Sequence, residues 1–152
     1  MANSTNSATR TIDASAEAIY DLLTNPQRHV ETDNSGMVVS LDQGERFKAV
    51  GDTFTMNMKN ENGDYQTRNE VFALQENKVV GWKNTKNTTS GAEVGAKWLY
   101  ELEPEGPDAT RVKLTYDRSE IENEQVRSFS EQFNDDFLET GLDAVAAAVS
   151  GA

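Results

Sequence analysis

The sequence predicts an α+β fold in which a long C-terminal helix covers an antiparallel sheet of short strands. Two observations predict the sheet: residues 53–116 alternate apolar and polar side chains, and tight turns rather than helices separate the alternating segments. A third observation predicts the helix, because residues 126–149 return to an apolar spacing of three and four. A meander with one apolar face must bury that face, and this helix has the longest apolar stripe in the chain.

The composition is that of a folded domain. The chain has 152 residues, of which 36% are hydrophobic, and a chain of this length can bury a sizeable core. We expect a single domain over residues 1–152, with residues 1–7 forming a flexible N-terminus. The sequence has no cysteine and one histidine, His29, which excludes disulfides, thiolate metal ligands and a multi-histidine metal centre. We therefore expect neither a metal nor another cofactor.

The charge argues against several classes of partner. The sequence contains 26 acidic and 14 basic residues, a formal net charge of −12, and such a surface repels nucleic acids and anionic lipids. No segment reaches the roughly 20 apolar residues of a membrane span, and residues 1–9 lack the apolar region of a secretory signal. We expect a cytoplasmic monomer or homodimer without nucleic-acid binding or membrane insertion.

The N-terminal part of the chain predicts one edge strand and one short helix. Residues 8–13 have a weak strand pattern. Ser15 has the position and chemistry of a helix N-cap, and the helix that follows has one apolar stripe made of Ile19, Leu22 and Leu23. We expect this helix to end before Pro26, because the residue before a proline avoids the α region.

The middle of the chain predicts a meander. In residues 53–59, Phe54, Met56 and Met58 occupy one face. Asn62-Gly63 then predicts a tight hairpin, because both residues adopt positive φ readily. The remaining strands are predicted over residues 65–74, 79–85, 94–103 and 112–116, with turns at Asn77, 84–91 and 104–108.

The C-terminal pattern predicts one amphipathic helix of about 20 residues. Phe129, Phe133 and Phe137 are spaced by four and begin its apolar stripe, which Leu142 continues. Gly141 costs about 1 kcal/mol relative to alanine inside a helix, and it marks a bend or a close approach to the sheet. Because a twisted sheet curling around one helix leaves space between the two layers, we expect an internal cavity for a small molecule there.

Several segments resemble one protein family. Residues 12–26 (IDASAEAIYDLLTNP) are similar to the opening of polyketide cyclase/dehydrase-like proteins, which belong to the superfamily of START and birch-pollen-allergen-like (SRPBCC) proteins. Residues 28–36 (RHVETDNSG), 51–54 (GDTF) and 98–102 (WLYEL) also resemble that family, and the similarity covers residues 8–149. It implies a helix-grip fold: a seven-stranded antiparallel sheet wrapped around the long C-terminal helix, with two short helices after the first strand.

His29 and Asp33 are the candidate catalytic residues. They are four positions apart, so one helical turn would bring the imidazole beside the carboxylate. Such a pair raises the pKa of the histidine and fixes its tautomer, as a general acid or base requires. The alternative is structural: His29 packs against or caps the second short helix, and Asp33 caps a turn. The sequence leaves both interpretations open.

The apolar candidates for a ligand site are the large aromatic and methionine side chains of the expected inner face. Methionine adapts to irregular apolar surfaces, and tryptophan and tyrosine add a polar group to an apolar body. The alternative is a filled core. The candidates are Met56, Met58, Trp82, Trp98, Tyr100, Tyr116, Phe133 and Phe137.

Asn69 is the polar candidate on the sheet. If Tyr65, Asn69 and Val71 share an inward face, the amide of Asn69 is buried and needs hydrogen-bond partners in the protein or on a ligand. If Glu70 and Phe72 face inward instead, Asn69 is solvated. The alternating pattern fits both registers.

Three functions are compatible with the sequence. The first is binding of an apolar or amphipathic small molecule between the sheet and the C-terminal helix. The second, implied by the resemblance, is a polyketide cyclase or aromatase that steers ring closure by shape and one acid/base group. The third is a protein-interaction module resembling activators of the Hsp90 ATPase, which the acidic surface supports. A filled interior would exclude the first two.

Overall fold

The computed structural model describes residues 4–150, and this part of the chain contains seven strands, four α-helices and one 3₁₀ turn. The strands are β1 (Thr5–Ile12), β2 (Val38–Gln43), β3 (Thr53–Asn60), β4 (Gly63–Gln75), β5 (Val79–Asn87), β6 (Glu93–Pro104) and β7 (Thr110–Asp117). The helices are α1 (Ala16–Leu23), α2 (His29–Thr32), α3 (Glu124–Ser130) and α4 (Asp135–Ser150), with the 3₁₀ turn at Pro26–Arg28.

The strands form one antiparallel sheet, and the predicted helix-grip fold is confirmed. The strand order is β1-β7-β6-β5-β4-β3-β2, so β2 to β7 are a meander and β1 closes the other side. β1 pairs with β7 from Thr5 opposite Asp117 to Ile12 opposite Thr110. The two short helices follow β1, and α4 packs against β1, β7, α1 and α2.

β2 is an edge strand that the residue pattern did not predict. Its side chains are half-buried or exposed, so it lacks a clear apolar alternation. Its pairing with β3 is irregular between Val38 and Ser40 and again between Leu41 and Gln43. Such irregularities change which side of the strand a residue faces, and they hide the period of two in the sequence.

β1 begins earlier than expected. Residues 5–7 lie within the segment predicted to be flexible, and they pair with β7. Asn6 Nδ2 and Ser7 N donate hydrogen bonds to Asp135 Oδ1, at 2.8 and 3.2 Å. The segment is therefore held by the sheet and by the start of α4. Residues 1–3 of the predicted segment lie outside the described residues.

α1 forms for the reasons that the sequence indicates. Ser15 is extended and its side chain accepts from Ala18 N at 3.1 Å, which satisfies an amide that the helix leaves unpaired. Ile19, Leu22 and Leu23 have no exposed surface. Burying each of these side chains contributes roughly 1.5–3 kcal/mol.

The C-terminal pattern folds as two helices, so the prediction of one continuous helix is wrong. Phe133 lies in the connection between α3 and α4. Two polar side chains bond to the backbone there: Gln132 Nε2 donates to Phe129 O at 2.9 Å, and Asn134 Oδ1 accepts from Phe137 N at 3.0 Å. Asn134 thereby caps α4, because a short amide side chain competes with the helical backbone bonds.

α4 lies close to its neighbours at Gly141, as expected from a glycine within a helix. A methyl group on Gly141 would lie 3.5 Å from Asn34 Oδ1 and 3.6 Å from Leu114 Cδ2. Asn34 Nδ2 in turn donates to Phe137 O at 3.0 Å and to Thr140 Oγ1 at 2.7 Å. The loop after α2 is therefore fastened to the first turns of α4.

The β3–β4 hairpin has its turn one residue earlier than predicted. Asn60 pairs with Gly63, so Glu61 and Asn62 form the two-residue loop, and Gly63 has the positive φ of 118°. The turn predicted at Asn77 is confirmed, since this residue has a φ of 59°. Of the helices within residues 4–150, none is long and apolar enough to cross a membrane.

Candidate ligand-binding cavity

A cavity of about 350 Å³ lies between the inner face of the sheet and the helical layer. Strands β3 to β7 form one side, and α2, the loop after it, α3 and α4 form the other. Every residue predicted as catalytic or ligand-binding lines it, although their roles in binding or catalysis stay predictions. These residues are His29, Asp33, Met56, Met58, Asn69, Trp82, Trp98, Tyr100, Tyr116, Phe133 and Phe137.

One wall of the cavity is an aromatic cluster formed by β6, β7 and the α3–α4 connection. The ring centroid of Trp98 lies 4.4 Å from that of Tyr116 and 5.4 Å from that of Phe133. Phe137 adds an edge-to-face contact, 4.8 Å from Phe133. Rings at these distances and angles attract each other beyond their burial. The helix break is what brings Phe133 against the sheet, and its side chain is buried.

A second wall places His29 among aromatic rings. Its imidazole stacks on Trp82 with a centroid distance of 4.5 Å and an interplanar angle of 25°. Phe47 and Phe54 approach it edge-on at 5.7 and 5.6 Å. Trp82 also stacks on Tyr100, at 5.6 Å. These contacts surround the only histidine of the sequence with apolar surface.

An amide network crosses the cavity wall from β4 to β6. Asn84 Nδ2 donates to Asn69 Oδ1 at 2.6 Å, and Trp98 Nε1 donates to Asn84 Oδ1 at 2.8 Å. Asn69 Nδ2 donates to Phe54 O and Thr67 O through longer bonds of 3.4 and 3.3 Å. Asn69 is 1% exposed, so β4 has the inward-facing register of Asn69 and the alternative register is excluded.

His29 and Asp33 do not form the predicted imidazole–carboxylate pair. His29 Nε2 lies 2.8 Å from Leu23 O, and since a carbonyl only accepts, Nε2 carries the proton. Burial lowers the pKa of His29 to about 4, against the opposing effect of this hydrogen bond. Asp33 has extended backbone dihedrals after α2 and accepts four hydrogen bonds from the chain that follows it. Both residues therefore have the contacts of the structural alternative.

The cavity tyrosines are held protonated. Burial is the main cause that raises the pKa of Tyr100 above its ordinary value, and the charge of Asp33 adds to it. Burial also raises the pKa of Tyr116 to about 12, although Arg118 and the Ser130 hydroxyl oppose it. At neutral pH both side chains are neutral hydroxyl groups.

Asn84 is the polar residue that sequence reasoning missed. The sequence predicts a loop over residues 84–91, but β5 continues to Asn87 and positions Asn84 directly opposite Asn69. The signal was present, because Asn84 follows Trp82 by two positions and so shares its face of the strand. The run of polar residues after Thr85 concealed it.

The acidic residues of the helical region hold β1. Asp135 accepts from Asn6 and Ser7, and Asp143 pairs with Arg10 at 2.6 Å. Within residues 4–150, no group of three or more His, Cys, Asp or Glu side chains is arranged to hold a metal ion.

The sheet, the C-terminal helix and the cavity between them define the class of protein. This is the helix-grip architecture of the SRPBCC superfamily, and the resemblance at the level of the superfamily is confirmed. The chain belongs to the family described as activator of Hsp90 ATPase homolog 1-like protein, whose model matches residues 13–146.

One relative is similar to this chain in sequence over part of its length. Rv0088, an uncharacterised protein of Mycobacterium tuberculosis, is 31% identical over 104 residues, which are 68% of this chain and 43% of that protein. The match thus spans less than half of that relative.

Two solved structures show the same fold. A protein from Arthrobacter aurescens has a TM-score of 0.75 at 13% identity, covering 98% of this chain and 87% of its own. The Aha1 dimer from Colwellia psychrerythraea has a TM-score of 0.60 at 19% identity, covering 95% of each chain.

Proposed function

We propose that the protein binds an apolar or amphipathic small molecule in the cavity between the sheet and α4. The observation that supports this most strongly is the cavity itself, about 350 Å³ and lined mainly by apolar and aromatic side chains. Small-molecule sites typically measure about 300–1,000 Å³ and combine apolar walls with a few polar groups. Here the polar groups include the amides of Asn69 and Asn84 and the hydroxyl of Tyr100.

An apolar ligand in this cavity would remove apolar wall from water and gain dispersion contacts with the aromatic rings. A ligand present at one hundred times its Kd would stabilise the fold by about 2.7 kcal/mol. A shift of the melting temperature is therefore a sensitive readout.

The test is native mass spectrometry of the purified protein together with thermal-shift screening against long-chain alcohols, sterols, flavonoids and polyketide mimics. We expect a retained adduct or a clear shift that Trp98→Ala and Phe133→Ala abolish. Leu99→Ala is the matched control, because Leu99 lies on the same strand but packs beside Gly81 on the opposite face. Ala96→Phe, which would fill the buried cavity wall, serves if the truncated variants unfold. Absence of any adduct or shift would contradict the proposal.

A second candidate function is supported by the family. The description of the matching model names activators of the Hsp90 ATPase, so a role in stimulating such an ATPase is the alternative proposal. The test is the ATPase rate of a purified Hsp90 with and without this protein. A stimulation that persists in Ala96→Phe would separate this role from ligand binding.

The cyclase alternative has weaker support. The Nε2 proton of His29 is used by Leu23 O, and Asp33 is bound by its own loop. A base with a pKa of about 4 is far from the value near the working pH that general catalysis favours. Turnover of a poly-keto substrate that His29→Gln abolishes would restore this alternative.

Location and assembly remain part of the proposal. A cytoplasmic monomer or homodimer fits the acidic composition, and the similar Aha1 structure from Colwellia psychrerythraea is a dimer. Light scattering on a size-exclusion column would give the mass in solution, and cell fractionation would give the compartment.

A further inference from the structure

We propose that the cavity selects uncharged ligands that carry a hydrogen-bond acceptor and rejects carboxylate or sulfonate anions of similar size. This inference rests on the proposed binding function and specifies the chemical class of the ligand. It follows from the charges and the hydrogen-bond donors of the cavity wall.

No cation of the described residues lines the cavity; the guanidinium of Arg118 lies over the ring of Tyr116, 5.2 Å from its centroid, without lining the cavity. Among the described residues that line it there is neither a lysine nor an arginine. His29 is 6% exposed and carries no charge at neutral pH. An anion that entered would lose part of its hydration without contacting a counter-ion on the wall, which is unfavourable in a protein interior.

The only charged side chain on the described wall is negative. Asp33 lines the cavity, and its charge reaches the opposite side, because it contributes to the raised pKa values of Tyr65 and Tyr100. An anionic ligand would meet this field as repulsion. A cationic ligand would be attracted only weakly by Asp33, because four donors of the surrounding loop already bind its carboxylate.

The amide network has few donors left for a ligand. Asn84 Nδ2 donates to Asn69 Oδ1, and Trp98 Nε1 donates to Asn84 Oδ1. These bonds hold the three side chains in place and leave neutral dipoles on the wall. The network therefore shapes the site without providing an anion-binding group.

The Tyr100 hydroxyl is the donor of the apolar part of the wall, where the tyrosine ring lies against Trp82. The side chain is 6% exposed and lines the cavity, and within residues 4–150 its hydroxyl has no hydrogen-bond partner. The hydroxyl is accessible from the cavity, since it is not among the fully buried polar atoms that lack a partner. A carbonyl, ether or hydroxyl oxygen on the ligand would accept its hydrogen bond in apolar surroundings, where such a bond is stronger than in water.

The test uses three probes that share one skeleton, a naphthalene joined to a benzene ring through one carbon atom. These are 1-benzoylnaphthalene, which carries a ketone, 1-benzylnaphthalene, which lacks it, and 4-(1-naphthoyl)benzoate, which adds a carboxylate. Both tryptophans of the chain, Trp82 and Trp98, line the cavity, so quenching of their fluorescence reports binding. We expect the ketone to bind at least tenfold more tightly than the carboxylate and severalfold more tightly than the hydrocarbon.

A tyrosine variant tests the acceptor part of the inference. Tyr100→Phe keeps the ring and removes the hydroxyl, so the ketone and the hydrocarbon should then bind with equal Kd. A preference for the ketone that survives in Tyr100→Phe would overturn the assignment of this donor.

A matched pair of lysine variants tests the charge part. Met58→Lys places a cation on the cavity wall, whereas Thr55→Lys changes the net charge equally on the opposite face of β3. We expect only Met58→Lys to tighten binding of the carboxylate. Equal effects of the two variants, or a carboxylate that already binds the wild type as tightly as the ketone, would overturn the inference while leaving the binding function intact. Failure of all three probes to bind would overturn both.

Discussion

The imidazole of His29 lies among three aromatic rings and donates its one proton to Leu23 O. The sequence indicates a histidine four positions before an aspartate, and this spacing predicts a pair. The observed partner is a backbone carbonyl whose position depends on how α1 and the 3₁₀ turn pack. The spacing of two residues along the chain carries no information about that packing. The sequence therefore identifies His29 as a candidate but does not predict its hydrogen-bond partner.

Burial of a neutral histidine makes the fold sensitive to acid. The pKa of His29 is about 4 in the folded protein and 6.5 ordinarily, so the unfolded chain binds the proton more tightly. The stability that the neutral imidazole gives to the fold is fully present above pH 6.5. It declines as the pH falls below 6.5 and is lost at about pH 4 and below. The loss amounts to about 3 kcal/mol.

The measurement is urea unfolding at a series of pH values for the wild type and His29→Gln. Because carboxylates also titrate in this range, the informative quantity is the difference between the two proteins. We expect the wild type to lose about 3 kcal/mol relative to the variant between pH 7 and pH 4. A difference that does not change with pH would contradict a neutral, buried imidazole.

The amide network predicts a strong coupling between two residues. Asn84→Ala removes the acceptor of Trp98 Nε1 and the donor to Asn69 Oδ1, and we expect a loss of about 2–3 kcal/mol. Asn69→Ala should cost about 1–3 kcal/mol. The double variant should lose less than the sum, as neighbours in one network do. Additive losses in urea unfolding would show that the two amides act independently.

Among the elements, helices and strands could be predicted from the sequence where apolar residues recur with a regular period. α1 and β3 to β7 belong to this group. The break between α3 and α4 was not predicted, because the phenylalanine spacing of four continues through the connection. What ends the helix is the bonding of Gln132 and Asn134 to the backbone, a choice between competing hydrogen bonds that apolar spacing does not report.

Two glycines in different elements should respond oppositely to alanine. At Gly141 in α4, an added methyl makes ordinary contacts of 3.5 and 3.6 Å, so Gly141→Ala should raise the free energy of unfolding by about 0.5–1 kcal/mol. At Gly95 in β6, φ is 96° and the methyl would lie 2.6 Å from Glu120 O. Gly95→Ala should therefore destabilise by more than about 1 kcal/mol. Destabilisation by Gly141→Ala would show that α4 cannot move even slightly from the sheet.

At the scale of the whole molecule, the order of the elements predicted a sheet covered by the C-terminal helix with a cavity between them, and the family resemblance supplied the seventh strand and the helix-grip fold. An apolar meander and an apolar helix must face each other, and the large side chains of both then line the same space. The amide network and the contacts of Asp33 depended on strand lengths and loop paths, which apolar patterning leaves undetermined.

Protection from hydrogen exchange should differ between the two C-terminal helices. α3 has seven residues, and its Phe129 is 45% exposed at the edge of the cavity; α4 has 16 residues and fully buried leucines. We expect α3 to exchange faster than α4 and β4 to β6, and a cavity ligand to slow it selectively. Exchange followed by mass spectrometry measures this, and equal protection of both helices would contradict it.

The two borders of the sheet are protected from the addition of another strand in different ways. β2 is interrupted twice in its pairing with β3, and such kinks twist a border away from an incoming backbone. β1 runs for eight residues in regular register with β7, but α4 packs along it: Ser7 N donates to Asp135, and Arg10 pairs with Asp143. A strand arriving at β1 would therefore have to displace the start of α4, so detachment of that helix would open this border to aggregation.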